Sequence, residues 1–397
     1  MAKPNEALLQ LQSPETPLTF RQELVPHIFR AIRGGRSCAL VGVKGAGMSN
    51  LLRFVCEPRV AASQMSDSLS RTLLVYLEGD LLLDATGLYQ AMIRGILEGA
   101  RRFDWPKAEL AALRHLAGRL LANREAPEAE EVLTEIIAYL GENRQCRVVV
   151  VFDEFDSAFV ELPAASLRGL RRLRDNHKAW LSYLIGTCIE LTCLVERRGT
   201  DGADVSKFTE LFNLHTFSMK PYTHLDALDL IARKIFEQDQ QPNAEQQDRL
   251  YRATGGHAKL LVAGLTALVD RRHLPWPDIE RDLRESAVLA EHCHEIWNDL
   301  DEGEQVALGA LAADRPAEVQ ADDLTLLRLK GMVVGRPDRI FASLFEAYVN
   351  RRFEETTPPQ SPPASSDDPN VSAEPRPPGR PRRRASKLRD PEARIDW

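Results

Sequence analysis

Residues Arg147–Asp156 read RVVVVFDEFD, and this run constrains the chain more than any other ten residues. Four β-branched side chains in succession favour an extended strand. Nothing polar interrupts them, so both faces of that strand must be covered, as in the middle of a parallel sheet flanked by helices. Asp153, Glu154 and Asp156 follow at its carboxyl end, the edge where such sheets bind ligands. The expected fold is therefore α/β. Taken alone, the run also fits a buried strand that ends in solvated acids.

Earlier in the chain, Gly42–Ser49 reads GVKGAGMS. The phosphate-loop pattern G-x-x-x-x-G-K-[ST] is met at Gly42, Gly47 and Ser49, with Met48 in the lysine position. Ser37–Val41 before it is an apolar strand-like run, and Asn50–Val55 after it has helical spacing. In that arrangement the backbone from Gly42 through Val43, Lys44, Gly45, Ala46, Gly47, Met48, Ser49 and Asn50 can surround phosphate oxygens, aided by the helix dipole. A tight strand-to-helix turn without a ligand is the other reading of this segment alone. The two motifs in this order predict a P-loop nucleotide-binding domain for ATP or ADP with Mg²⁺. Ser49 and Asp153 would hold the metal, and Glu154 would orient the attacking water. Methionine supplies no charge to the phosphates, so the expectation is binding with slow turnover, or a regulated pseudo-ATPase. Lys44 either swings its ammonium toward the phosphates or stays a solvated loop residue.

The motif pair resembles the AAA+ and STAND branches of P-loop ATPases, including origin-recognition-type initiators. Further segments are similar to that family over roughly residues 15–350. Pro17–Ile32 resembles the helix before the first strand, which borders the adenine. Ala179–Thr187 resembles a core strand ending in a polar γ-phosphate sensor, here Thr187, and Phe208–Pro221 the segment leading to a helical lid. Ala253–Leu261 (ATGGHAKLL) looks like the lid signature, with Lys259 near the second sensor, usually arginine. The resemblance implies an N-terminal extension 1–14, an ATPase core 15–220, a lid 221–285, a winged-helix domain 286–353 and a tail 354–397. A trans-acting arginine would demand oligomers, with Arg197 and Arg198 as candidates.

The C-terminal part supports that layout from its residues. His294–Leu311 reads as two helical segments with Asp301 a plausible N-cap, and Asp322–Gly331 as a third. Met332–Val334 and Arg339–Phe341 flank Gly335-Arg336-Pro337-Asp338, a hairpin signal, and Ser343–Phe353 closes as a helix. The would-be recognition helix is leucine-heavy and starts with two aspartates, which repel DNA phosphates. Arg328, Lys330, Arg336 and Arg339 are the candidates for backbone contact. The expectation favours packing or regulation over sequence reading.

The chain carries a net charge of −7 over 397 residues, and Arg376–Arg389 holds seven basic residues and no acid. The acidic remainder is a poor general surface for nucleic acid. Pro378-Gly379-Arg380-Pro381-Arg382 resembles an AT-hook, whose arginines lie in the narrow minor groove of A·T-rich DNA. A polybasic tail for any polyanion is the alternative. No apolar stretch reaches membrane-spanning length, the first residues lack a secretion-signal layout, and the six cysteines form no C-x-x-C pair. These features predict a cytoplasmic protein with reduced thiols, no membrane and no zinc site, His292-Cys293-His294 included. Two functional classes are thus expected: an ATP-dependent switch that engages DNA, a protein partner or its own copies, and a non-catalytic adaptor of the same fold.

Overall fold

The computed structural model describes residues 15–65, 71–78, 84–122, 126–199, 202–235, 242–271 and 273–356. The expected N-terminal extension 1–14 and the basic segment Arg376–Arg389 lie outside them.

Five parallel strands form the central sheet: β1 (Cys38–Val41), β2 (Thr72–Glu78), β3 (Arg147–Asp153), β4 (Leu181–Thr187) and β5 (Thr216–Ser218). Their order is β2-β3-β4-β1-β5. The valine run becomes β3, and its period-2 geometry divides it between two apolar cores. Val149 and Val151 join the core under the helices Val25–Arg33, Met48–Val55 and Pro58–Met65. Val148, Val150 and Phe152 join the opposite core, built with the helices Ala85–Arg102, Ala126–Arg144 and Ala164–Asn176. All five of these side chains are buried, each worth about 1.5–3 kcal/mol in transfer free energy.

Beyond the sheet come four helices, His224–Ile235, Ala244–Thr254, Ala258–Arg271 and Trp276–Glu285, in the segment expected to form a lid. A C-terminal module follows with helices Ala287–Asn298, Glu302–Ala312 and Ala321–Leu329, an antiparallel hairpin of β6 (Val333–Val334) and β7 (Arg339–Ile340), and helix Ser343–Thr356. Asp301 caps its helix through a reciprocal capping box with Glu304, as its position ahead of the apolar run suggests.

Two local expectations change. Pro17–Ile32 is helical only over Val25–Arg33, because Arg21 takes a left-handed backbone at φ 51° that interrupts any earlier helix. Lys330 is removed from the DNA-contact candidates. It is 4% exposed and its ammonium lies 2.6 Å from the fully buried Glu304 carboxylate. Arg328 is committed too: its Nε donates to Asp338 Oδ1 and its Nη2 to both Asp338 carboxylate oxygens. Arg336 and Arg339 are exposed, and no ion pair to either is found among the described residues. Helix Ala321–Leu329 packs on β5, where the Ser218 hydroxyl donates to the Arg328 carbonyl.

All six cysteines are unpaired thiols, and burial pushes Cys38 and Cys56 up to about 12. Within the His292-Cys293-His294 triplet, His294 is bonded to the Tyr348 hydroxyl and Cys293 is buried. Among the described residues no helix is long and apolar enough to cross a membrane.

Candidate nucleotide site

The chain turns from β1 into helix Met48–Val55 through the glycine loop, with Gly45 at φ 78° and Gly47 at φ 96°. Only glycine adopts these values without strain. Space requires glycine as well: a Cβ on Gly47 would stand 2.5 Å from the Tyr222 hydroxyl, and one on Gly42 2.6 Å from Met219 Cβ.

The loop's carbonyls are tied back from outside. The Lys44 carbonyl accepts from His257 Nε2 at 3.0 Å, and the Gly45 carbonyl from the Lys259 backbone N–H at 3.0 Å. The Ala46 carbonyl accepts from the buried Arg21 guanidinium, which also donates to the carbonyls of Lys220 and Pro221 and stacks 4.3 Å over the Tyr222 ring. Pinning the carbonyls outward leaves a concave wall of glycine-loop backbone, the geometry of an anion nest.

That wall borders a cavity of about 460 Å³. Of the loop residues expected to bind nucleotide, Val43, Lys44, Gly45, Gly47, Met48, Ser49 and Asn50 line it, together with Lys259. Gly42 and Ala46 lie behind it. Gly42 donates its N–H to the Thr187 carbonyl, which locks the loop to β4. Asp153, Glu154, Asp156 and Thr187 reach the cavity from the ends of β3 and β4. The valine run and the glycine loop therefore converge, as their order in the chain requires.

Met48 lies over β4. A Cβ on Gly186 would come 2.9 Å from Met48 Cγ and 3.2 Å from its sulfur. Asp153 is buried, with Oδ1 accepting from the Glu154 N–H and Oδ2 from the Tyr76 hydroxyl at 2.6 Å. Burial first, then that bond to Asp153, pushes the Tyr76 phenol far up, so it stays a donor. Glu154 is exposed, and its backbone is left-handed at φ 48°. Thr187 is buried and its hydroxyl turns back to the Leu40 carbonyl at 3.4 Å. Lys259 Nζ pairs with Glu295. Asp156 receives the N–H groups of Cys188 and Ile189 and shapes the turn after β4, a structural role for the third acid of the run.

Sequence reading missed Tyr76, Tyr222, Leu230, Lys234 and Val262, and it gave no role to Arg21 or His257 within the segments Pro17–Ile32 and Ala253–Leu261. None has a local signature; each is brought in by tertiary packing. Of the finger candidates, Arg198 donates to the carbonyls of Phe159, Val160 and Leu162 and closes a helix end.

His257 carries a testable consequence. Its Nδ1 accepts from the Leu260 N–H, so the proton sits on Nε2 and the ring is neutral. Burial, the dominant cause, pushes its pKa down to about 4. The unfolded chain, with an imidazole near 6.5, then binds the extra proton between those values. Stability is full above about pH 6.5 and falls by roughly 3 kcal/mol on the way to pH 4. Urea denaturation across that range checks it: His257→Gln should flatten this component, and an equally steep loss in the variant refutes it.

The parallel sheet, the glycine loop after its inner strand β1 and the acids at the end of β3 define an α/β fold of the P-loop kind. The fold is shared with a Walker-type ATPase of Pyrococcus abyssi, at a TM-score of 0.52 and 13% identity over 85% of this chain and 99% of that one. The Aeropyrum pernix ORC2 protein, in ADPNP–ADP complexes, matches at TM-score 0.45 and 13% identity, covering 84% of this chain and 93% of its own. Drosophila ORC bound to DNA matches at 0.44 and 13% identity, covering 91% and 82%. No family model matches the chain, and no curated protein matches it in sequence.

Proposed function

We propose that the chain is a nucleotide-dependent switch that binds ATP or ADP between core and lid and hydrolyses ATP slowly. The carrying observation is the cavity itself, walled on one side by the glycine loop and on the other by lid residues Lys259, Val262 and Leu230. A ligand that fills it touches both bodies and so biases their arrangement. The base and ribose would lie toward Leu230 and Val262, and the phosphates along the loop.

The residues fit a divalent cation that arrives with the phosphates. Ser49 and Asp153 share the cavity, and each Asp153 oxygen keeps a lone pair beyond its one hydrogen bond. Among the described residues no group of three or more His, Cys, Asp or Glu could hold a metal, so phosphate oxygens and waters would complete the shell. Bound there, Mg²⁺ supplies the charge that neutralises the terminal phosphates. Glu154, exposed at the same edge, orients water, and Thr187 reports on the terminal phosphate only if its hydroxyl leaves Leu40. Low turnover follows from the neutral Met48 and from the Tyr76 bond to Asp153.

The same two features favour a second reading, a non-catalytic adaptor that keeps the fold. In either case the C-terminal module reads as a winged helix used for packing and regulation, with lid and module spanning 221–285 and 286–353. DNA contact would fall to the tail Arg376–Arg389 and to Arg336 and Arg339; the protein partner or self-association surface would lie on the helices Ala85–Arg102, Lys107–Ala122 and Ala126–Arg144 between β2 and β3.

Titration with a fluorescent ATP analogue and Mg²⁺ tests the switch. Asp153→Ala should weaken binding about tenfold or more by removing a metal ligand while leaving the loop intact. No binding by the native chain at millimolar nucleotide sinks the reading.

A further inference from the structure

Lys259 lies against the glycine loop, yet its charge is engaged elsewhere. Its backbone N–H donates to the Gly45 carbonyl, and its stem runs over Gly45. A Cβ on that glycine would stand 3.0 Å from Lys259 Cβ and 3.2 Å from Lys259 Cδ. The ammonium at the end of the stem donates to Glu295 Oε2. Lys259 belongs to the first turn of helix Ala258–Arg271, whereas Glu295 belongs to helix Ala287–Asn298 of the C-terminal module. One ion pair therefore ties the module to a residue of the cavity wall.

Glu295 is placed from its own side. Cys293, Ile296 and Trp297 of the same helix are buried, and Trp297 packs against Tyr348 and Phe353. His294 Nδ1 meets the Tyr348 hydroxyl at 2.9 Å, and His292 Nδ1 lies 3.5 Å from Glu295 Oε2. The bond to Lys259 holds the Glu295 carboxyl below the usual carboxylate range, so it is ionised at neutral pH.

The charges around the cavity make this pair matter. Lys44, Lys234 and Lys259 line it together with Asp153, Glu154 and Asp156, and Met48 adds no charge. With three lysines against three acids, no cation is in surplus for a polyphosphate. Tying up Lys259 leaves the acids in excess. The pair is also easy to exchange: the two side chains are 38% and 32% exposed, and ion pairs so open to water add little stability. A phosphate oxygen at the loop is a competing acceptor for the same ammonium. The flexible lysine stem already touches the loop, so only its end has to turn.

Resting on the nucleotide-binding reading above, we propose that Glu295 is a positioning residue that competes with bound phosphate for Lys259. While the module holds the ammonium, the site binds polyphosphate weakly. Phosphate that takes the ammonium unties the module from the cavity wall.

Titration of the full chain with a fluorescent ATP analogue and Mg²⁺ tests this on four proteins: native, Glu295→Gln, Lys259→Met and the double variant. Glu295→Gln should bind about fivefold more tightly than native, the scale of one partly exposed ion pair. Made in the Lys259→Met background, the same change should leave affinity within about twofold, because the group it frees is gone. A Glu295 that acts only on the fold, or only through its field on the phosphates, would shift both backgrounds alike, and that result overturns the proposal. So does a Glu295→Gln chain that binds no more tightly than native. Both positions are partly exposed, so urea midpoints of the variants should stay near the native value. Failure of all four proteins to bind the analogue removes the nucleotide reading, and this competition with it.

Discussion

Met48→Lys should raise ATP hydrolysis a hundredfold or more and tighten ATP binding. The helix-start side chain at this position lies beside β4, with the sulfur and Cγ of Met48 over Gly186. A lysine stem can follow the same apolar path and carry its ammonium onward to the cavity edge. There it would meet charge developing on the transferred phosphoryl group, in a partly enclosed site. Electrostatic contributions of this kind are worth about 2.7–4 kcal/mol in the transition state. Asp153 and Glu154 are already in place at the cavity. Single-turnover measurement of phosphate release from the native chain and the variant decides the matter. A variant no faster than the native chain would mean that something besides the missing lysine, with the Tyr76–Asp153 bond the first suspect, holds turnover down.

Lys330→Met should destabilise the chain by about 3–5 kcal/mol, the usual consequence of removing one partner of a buried ion pair. Glu304 is fully buried. Its Oε2 accepts from both Lys330 Nζ and the Asp301 N–H, and its Oε1 has no hydrogen-bond partner. Without the ammonium, Glu304 keeps one N–H and an uncompensated charge. Replacing both residues, as in Glu304→Gln with Lys330→Met, should recover most of the loss, because the amide still caps Asp301 and carries no charge. Urea midpoints of the two variants give the comparison. A single variant within about 1 kcal/mol of the native chain would contradict the burial of this pair.

These two sites differ in how far the sequence discloses them. The glycine loop, β3 and the acids that follow it are written in contiguous residues, because a phosphate nest and a doubly buried strand are both local requirements. The capped helix at Asp301 and the hairpin around Gly335 are local in the same sense. By contrast β5 is three residues long, half-buried and begins with threonine, so no period or run reveals it. Tyr76 sits in a strand whose apolar character explains it sufficiently; only the alignment of Glu78 with Asp153 across the β2–β3 ladder brings its hydroxyl to the carboxylate. Lys330 looks like a solvated helix-end lysine until the turn beyond Leu329 folds it against Glu304.

Separation along the chain also has a consequence in time. Lys44 and His257 are 213 positions apart, and the Arg21 N–H reaches 205 positions to Asp226. At synthesis rates of about 5–20 residues per second, the glycine loop waits roughly 10–40 s for the groups that hold its carbonyls. A nascent chain that has completed only the parallel sheet has a loop sequence without a loop shape. Closure of such distant pairings comes late in folding, since chain entropy must be spent before they form. Nucleotide added during synthesis would therefore find no shaped loop until the helices around His257 and Lys259 have emerged, and binding itself becomes a marker that the chain has folded at least that far.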